Sequence, residues 1–431
     1  MIKRATGLAR REFGAYAGTI RTSSPNARRY LLMEAFQNAA AGLLATVFAL
    51  YVSSSGMSTS VVGDVEGALA LASGVVCLLL PPLVAVTGYR SLLVVAGLAF
   101  AVARLGQTLG VTSSMIVVLG LVVGIGDGIN RSIGVAFLSE NGPNGEGRTR
   151  LFTVDFVLRI AAGVVGAALG GIVPTLLAPT MSDTDTLRWA IGLAGALYLV
   201  SILPILGVTD GPRVNQRAWG LYARAVRNFH SWDRLARLVV PEALVSFGAG
   251  LIMPFVPLFL NVHLGANVAQ IGFIQAATSV VMAVATLSTP FLARRLGLVG
   301  TIVTTQIASL PFLLVVPLAT ALPVVAGAMW MRAALMNMSW PIYNQFAVEG
   351  IPAADKPLVL GWMSAAWSAA WLAGSVVGGR LAESSYTVGY FITAVLYALA
   401  AVMSWFLLRR IRLGAFDAVE GFAAETVEPH A

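Results

Sequence analysis

The sequence is short of what a soluble catalytic domain is built from. Charged residues make up 11% of its 431 positions, where soluble domains carry about 25%. Its one cysteine, Cys77, sits inside an apolar run, which excludes a disulfide framework and a cysteine metal site. The three histidines, His230, His263 and His430, are scattered, and no His-Glu-x-x-His or Walker loop occurs. No enzyme, ATP-driven pump, metal site or cofactor is therefore expected. The first 29 residues hold seven bases and no apolar core, so a cleavable signal peptide is not expected. What abounds is apolar: 57% of residues are hydrophobic, and the mean hydropathy is +0.81. A pI near 10.0 could suggest nucleic acid as partner. The bases cluster between apolar runs, however, which is the pattern of membrane topology and argues against that partner.

Most of these runs hold 20 or more residues, enough to cross a hydrocarbon core ~30 Å thick. The bilayer offers no backbone partners, so each run must be a helix. Spans are predicted near 31–52, 61–80, 91–110, 115–138, 154–177 and 187–207, then 240–261, 269–290, 300–320, 323–347, 358–381 and 387–408. The fold class is thus an all-α membrane protein of twelve transmembrane helices in two six-helix bundles. The expected divisions are an amphipathic amino-terminal segment (1–29), a first bundle (30–208), a basic linker helix (209–239), a second bundle (240–409) and a tail (410–431). Lys and Arg set the orientation. The amino-terminal side carries Arg90, Arg148, Arg150, six linker arginines, Arg294, Arg295, Lys356, Arg409, Arg410 and Arg412, besides Arg10, Arg11, Arg28 and Arg29. The opposite loops offer little beyond Arg188, with Arg380 close by. Both termini of a multi-pass cell-membrane protein are expected in the cytoplasm.

The chain is written twice. At an offset of 209, Gly56, Gly63, Pro81 and Gly88 fall on Gly265, Gly272, Pro290 and Gly297, and Phe137, Glu140 and Pro143 on Phe346, Glu349 and Pro352. At 208, Glu34-Ala35 and Ala41-Gly42-Leu43 meet Glu242-Ala243 and Ala249-Gly250-Leu251. At 206, Phe13-Gly14-x-Tyr16-Ala17 meets Trp219-Gly220-x-Tyr222-Ala223. Near-constant spacing in two sets of membrane helices points to a site where the halves meet. In the linker, Trp219, Tyr222, Val226 and Phe229 recur at three- and four-residue steps between Arg217, Arg224 and Arg227. That pattern suits a helix in the membrane interface with its arginines toward lipid headgroups. The tail acids Asp417, Glu420, Glu425 and Glu428 suit a disordered end.

Twelve helices in two matching halves, with a glycine turn after the second helix of each, resemble the major facilitator superfamily. Its turn signature, Gly-x-Leu-Ala-Asp-Arg-x-Gly-Arg-Arg, corresponds here to Pro81-Pro82-Leu83-Val84-Ala85-Val86-Thr87-Gly88-Tyr89-Arg90, and again to Pro290-Phe291-Leu292-Ala293-Arg294-Arg295-Leu296-Gly297. The leucine, the glycine and some bases (Arg90, Arg294, Arg295) survive, but the acid is missing from both copies. The family's antiporter signature, ending Gly-Pro-x-x-Gly-Gly, is partly matched by Gly166-Ala167-Ala168-Leu169-Gly170-Gly171 and echoed by Gly374-Ser375-Val376-Val377-Gly378-Gly379. A third motif, an arginine four residues before a glycine of helix four, is absent, the position being Gly120.

The resemblance implies secondary transport, with helices one, four, seven and ten around a central cavity. Charges at membrane depth are the first candidates for coupling. Asp127 and Arg131 on helix four, and Asp155 and Arg159 on helix five, are spaced to share helix faces, and could form one neutral quartet or a static ion-pair lock. Asp127, deepest and within Gly124-Ile125-Gly126-Asp127-Gly128, is the expected proton carrier. Glu34 and Glu242 are expected in the first turns of helices one and seven, favoured there by the dipole or able to release protons. At the opposite side, Asp64 or Glu66 is expected to latch onto Arg380, with Arg104 snorkelling to the same rim. The substrate cavity is expected to use Gln37, Asn38, Arg332, Asn337, Trp340, Tyr343, Asn344, Trp362, Trp367 and Trp371, aromatics with a few polar groups suited to a small or amphipathic organic molecule. Arg332, with no acid within four residues, either pairs across helices or receives an anionic group. The partial antiporter signature and the aromatic cavity favour proton-coupled export by a monomer. An uptake symporter and a non-transporting sensor of the same fold are the alternatives.

Overall fold

The computed structural model describes residues 18–411, apart from 19, 111, 144–145, 211–217, 349–350 and 353–354. Phe13, Gly14, Tyr16, Ala17, Arg217, Glu349, Arg412, His430 and the tail acids Asp417, Glu420, Glu425 and Glu428 lie outside the described residues. Within them every regular element is a helix. The first half runs α1 (Pro25–Ser54), α2 (Thr59–Thr87), α3 (Tyr89–Gln107), α4 (Ser113–Asn141), α5 (Glu146–Leu177) and α6 (Asp183–Ile205). A linker helix, α7 (Ala218–Arg227), leads to α8 (Trp232–Ile252), which passes through a short 3-10 turn into α9 (Val256–Leu264). Then come α10 (Val268–Leu287), α11 (Thr289–Leu318), α12 (Leu322–Asn337), α13 (Trp340–Val348), α14 (Lys356–Ser384) and α15 (Tyr386–Leu408).

Ten of these units are long and apolar enough to cross a bilayer: α1 to α6, α8 with α9, α10, α11 and α15. The other two expected spans, 323–347 and 358–381, fall on α12–α13 and on α14. Pro341, with no N–H and a ring that crowds the carbonyl four residues back, explains why the helix breaks after Asn337. At 29 residues α14 has the length, but its tryptophans and serines keep it less apolar than the rest. It packs along α2 and α8.

Several helices begin earlier than hydropathy predicts, α1 and α8 among them. Ser24 caps α1, its hydroxyl accepting the Ala27 N–H at 3.1 Å, with Pro25 in the first turn. Trp232 opens α8. Hydropathy marks where a helix enters lipid, and polar first turns extend beyond that level. Glu34 and Glu242 therefore stand two to three turns inside their helices, not in the first turn, and the dipole argument does not hold them.

Hydrogen bonds define two faces. On one, Asn26 bridges Asn141 (2.9 Å) and Thr209 (3.0 Å), Asp210 accepts the Arg90 N–H (2.9 Å), and Arg237 donates to the Arg410 carbonyl (3.1 Å). This is the basic face, where both described ends lie. On the other, Thr184 donates to the Ser54 carbonyl (2.8 Å), and the Ser60 N–H to Glu383 (3.2 Å).

Glycine contacts record the duplication in space. A Cβ at Gly272 of α10 would stand 2.7 Å from the Ala167 carbonyl and 2.9 Å from Gly171 Cα in α5; one at Gly63 of α2 would strike the Ser375 carbonyl and lie 3.2 Å from Gly379 Cα in α14. Each residue of the second set is the repeat partner of one in the first. The halves thus meet along two equivalent seams, α2 with α14 and α5 with α10. Within the halves, Gly166 abuts Ala39 of α1 just as Gly374 abuts Phe247 of α8. Small residues permit such backbone approach in a membrane. Gly120 and Gly128 likewise seat α4 on Val65 and Ser73 of α2.

Candidate substrate cavity

A cavity of about 430 Å³ lies between the halves. Its wall takes Gln37 and Asn38 from α1, Glu66 from α2, Arg104 from α3, Asp127, Asn130 and Arg131 from α4 and Arg159 from α5, while Gln275 and Trp371 come from the second half. A second cavity of about 210 Å³ lies within the second half and is bordered by Glu242, Arg332, Asn337, Trp340, Trp367 and Trp371. A smaller space of about 80 Å³ joins Arg131 to Glu242, Trp340, Tyr343 and Asn344.

The four charges of α4 and α5 fall into two groups, which corrects the quartet. Arg131 Nε donates to Asp127 Oδ2 at 2.7 Å, and the Ser73 hydroxyl donates to the same oxygen at 2.7 Å. Arg159 Nε donates to Asp155 Oδ2 at 2.8 Å and its Nη1 lies 3.3 Å from Glu34 Oε2. Tyr30 (2.9 Å) and Asn38 (2.8 Å) also donate to Glu34, whose side chain is only 1% exposed. Among the described residues no ion pair joins the two groups. The glycines explain it: α4 is seated on α2 and α5 on α1, so each pair turns to a different neighbour.

At the far face Arg380 Nη1 donates to Asp64 Oδ1 at 2.6 Å. Glu66, two residues on and so rotated around the helix, borders the cavity instead. Arg104 does not reach the rim. It is buried, donates to Gln107 Oε1 at 2.9 Å and stands 5.1 Å over the Phe48 ring. Its short path to a side-chain acceptor inside the bundle outcompetes snorkelling.

In the second half Arg332 is buried and donates to the Tyr397 hydroxyl at 2.8 Å, with Met253 Sδ at 3.2 Å and no carboxylate partner among the described residues. Asn337 donates to the Ala333 carbonyl (2.8 Å) and Tyr343 to that of Leu238 (2.9 Å). Trp340 meets Trp367 edge-on at 5.6 Å, and Trp367 stacks with Trp371 at 6.5 Å. Trp362 is a correction: it packs edge-on against Trp232 at 5.8 Å near the basic face and borders none of these cavities. Five residues before Trp367, it points elsewhere on the helix, whereas Trp367 and Trp371 share a face. Gln37 donates to Ser201 (3.2 Å) and accepts from Asn130, a cavity residue that the sequence did not single out.

The two turns are alike in backbone, with Gly88 at φ 81° and Gly297 at φ 72°, the left-handed region that glycine adopts freely. Arg90, Arg294 and Arg295 are exposed there, and Arg295 lies 4.5 Å over the Phe291 ring. The missing acid of the first turn is replaced from elsewhere: Asp210, after α6, caps α3 through the Arg90 N–H. Nothing in its local sequence announces that role. Tyr222 of α7 donates to the Leu78 carbonyl at 2.5 Å, tying the linker to the first half, and burial raises its phenol above the ordinary range. Phe229 is buried while Trp219, Arg224 and Arg227 are exposed.

Residues 242–428 match the sequence model of the Major Facilitator Superfamily. No curated protein sequence matches the chain. Among solved structures it is similar to the nucleoside transporter NupG (12% identity, covering 89% of this chain and 99% of that one, TM-score 0.70). It is also similar to a bacterial homologue of the human lysosomal transporter Spinster, inward-facing and unoccupied (13%, 92% and 97%, 0.68). A third is the inward-open xylose transporter XylE from E. coli (17%, 95% and 99%, 0.66). At these identities the likeness carries the fold. The second half thus matches the Major Facilitator Superfamily, and the chain as a whole has the fold of these transporters, that of a multi-pass membrane protein.

Proposed function

We propose that this protein is a secondary active transporter, working as a monomer in the cell membrane by alternating access, that exports small organic or drug-like molecules in exchange for protons. The observation that carries the reading is a cavity walled by both halves beside two charged groups, with the halves joined at the far face through Asp64 and Arg380. Solved structures of similar fold are named as transporters of nucleosides and of xylose. With the basic face in the cytoplasm, the Asp64–Arg380 pair closes the outside. Arg131 and Arg159, 52% and 35% exposed, then stand on the side open to the cell.

In this mechanism Asp127 is the proton carrier. Its anion is held by Arg131 and Ser73; a proton arriving from outside releases Arg131, and the cytoplasmic opening restores the pair. Glu34, Arg159 and Asp155 form the companion network that couples α1 to α5. The residues identified support binding and proton movement and offer no nucleophile with a base. Asp127→Asn in proteoliposomes tests the assignment: a pH gradient should no longer drive accumulation of a compound found by thermal-shift screening, while exchange of that compound persists. Undiminished gradient-driven accumulation would overturn it, and the sign of the gradient that drives uptake into vesicles separates export from symport.

A further inference from the structure

Glu34 and Glu242 are repeat partners at an offset of 208, yet their surroundings share nothing. Every group that holds Glu34 is replaced in the second half: Tyr30 by Leu238, Asn38 by Ser246, Arg159 by Trp367, and the supporting Asp155 by Met363. Ser246 turns away, its hydroxyl donating to the Trp367 carbonyl at 2.7 Å. Glu242 has no hydrogen-bond or ion-pair partner among the described residues and borders both the second-half cavity and the small space leading to Arg131. Arg131 is already engaged by Asp127. The same cavity holds Arg332, the buried guanidinium that has a hydroxyl and a thioether for company but no anion. One cavity of about 210 Å³ thus carries a carboxyl group and a guanidinium, each without a charged partner among the described residues, with tryptophans around them.

From that juxtaposition we infer that the second-half cavity is a subsite for a zwitterion, taking an ammonium at Glu242 and a carboxylate at Arg332, with the apolar body against Trp340, Trp367 and Trp371. The chemistry is set by charge balance. A purely cationic ligand at Glu242 would share the cavity with an unanswered guanidinium, and a purely anionic one at Arg332 would leave the Glu242 carboxyl group without a partner. A buried charge without a partner is costly, and a molecule carrying both signs answers both. Tryptophan faces suit an ammonium as well as an apolar body. The volume suits an amino acid or a small dipeptide.

The inference names the substrate class of the transporter proposed above and rests on that reading for its biological sense, but its test is binding in detergent and needs no transport. The probes are phenylalanine and alanyl-phenylalanine, their amides, which keep only the ammonium, and their N-acetyl forms, which keep only the carboxylate. Binding is read by tryptophan fluorescence and thermal shift. At least one zwitterion should bind tenfold or more tightly than both of its blocked forms. Glu242→Gln should remove the advantage over the N-acetyl form, and Arg332→Lys should weaken the zwitterion and the N-acetyl form while sparing the amide. Glu242→Gln leaves a group of the same shape, and a monodisperse elution profile with an unchanged circular dichroism spectrum certifies its fold. No binding by either zwitterion, or zwitterion binding indifferent to Glu242→Gln in the folded variant, overturns the inference. Zwitterion binding with no flux in proteoliposomes would instead sink the transport reading and leave this one standing.

Discussion

The two halves are built on one scaffold and furnished differently. Gly166 and Gly374 fix equivalent helix contacts within the halves, and Gly63 and Gly272 the two equivalent seams between them. Beside this constant frame, Glu34 is enclosed by an arginine, a tyrosine and an asparagine, while Glu242 stands open to a cavity lined by tryptophan. A duplicated bundle needs equal frames to pivot evenly, but only one copy of each working part. Symmetry marks the packing residues, and its breakdown marks the working ones.

The largest effect should come from breaking the frame. Gly166→Leu and Gly374→Leu each drive a branched side chain into a neighbouring backbone, and both should abolish recovery of monodisperse protein, as size-exclusion profiles would show. If one half tolerated the change, the frames would not be equal. Next, Arg159→Met strands Glu34 and should cost about 2 kcal/mol, below the full value for a buried pair because the guanidinium is a third exposed. Trp367→Met, at the repeat position, should cost less, by unfolding midpoints in detergent. Removing the glutamates sharpens the contrast: Glu34→Gln should destabilise by about 1 kcal/mol, and Glu242→Gln should be neutral or stabilising, since it deletes a carboxyl group that has no partner among the described residues. Asp210→Ala removes the cap of α3 and should cost about 1 kcal/mol. Smallest is Arg380→Ala, whose partly exposed pair with Asp64 contributes ~0–1 kcal/mol, enough to shift the balance of conformations without unfolding anything.

Much of the frame was legible, because glycine spacing and apolar runs are local signals set by backbone approach and lipid depth. The spacing of the repeat announced two matching halves, but not which residues meet across the seams between them. What stayed hidden depends on rotation and on distant partners. Arg104 looked like a rim residue because the ring of Phe48, on α1, becomes its neighbour only in the folded bundle, although its acceptor, Gln107, lies one turn on along α3. Trp362 was grouped with Trp367 by composition although the helix turns it away. The quartet failed because sequence shows that Asp127 and Asp155 each have an arginine four residues on, but not that α2 and α1 claim them separately. Asp210 could not be found at all, since its partner, the Arg90 N–H, lies 120 residues earlier.

The central claim is that the halves rock about the shared cavity, and two distances measured together test it. With Cys77 replaced by Ala, spin labels at Met181→Cys and Ser384→Cys report the far face, and labels at Arg90→Cys and Arg295→Cys the basic face. Adding Arg380→Glu, which turns the far-face attraction into repulsion, should lengthen the first distance and shorten the second. Two distances that stay fixed, or that lengthen together, would contradict the account.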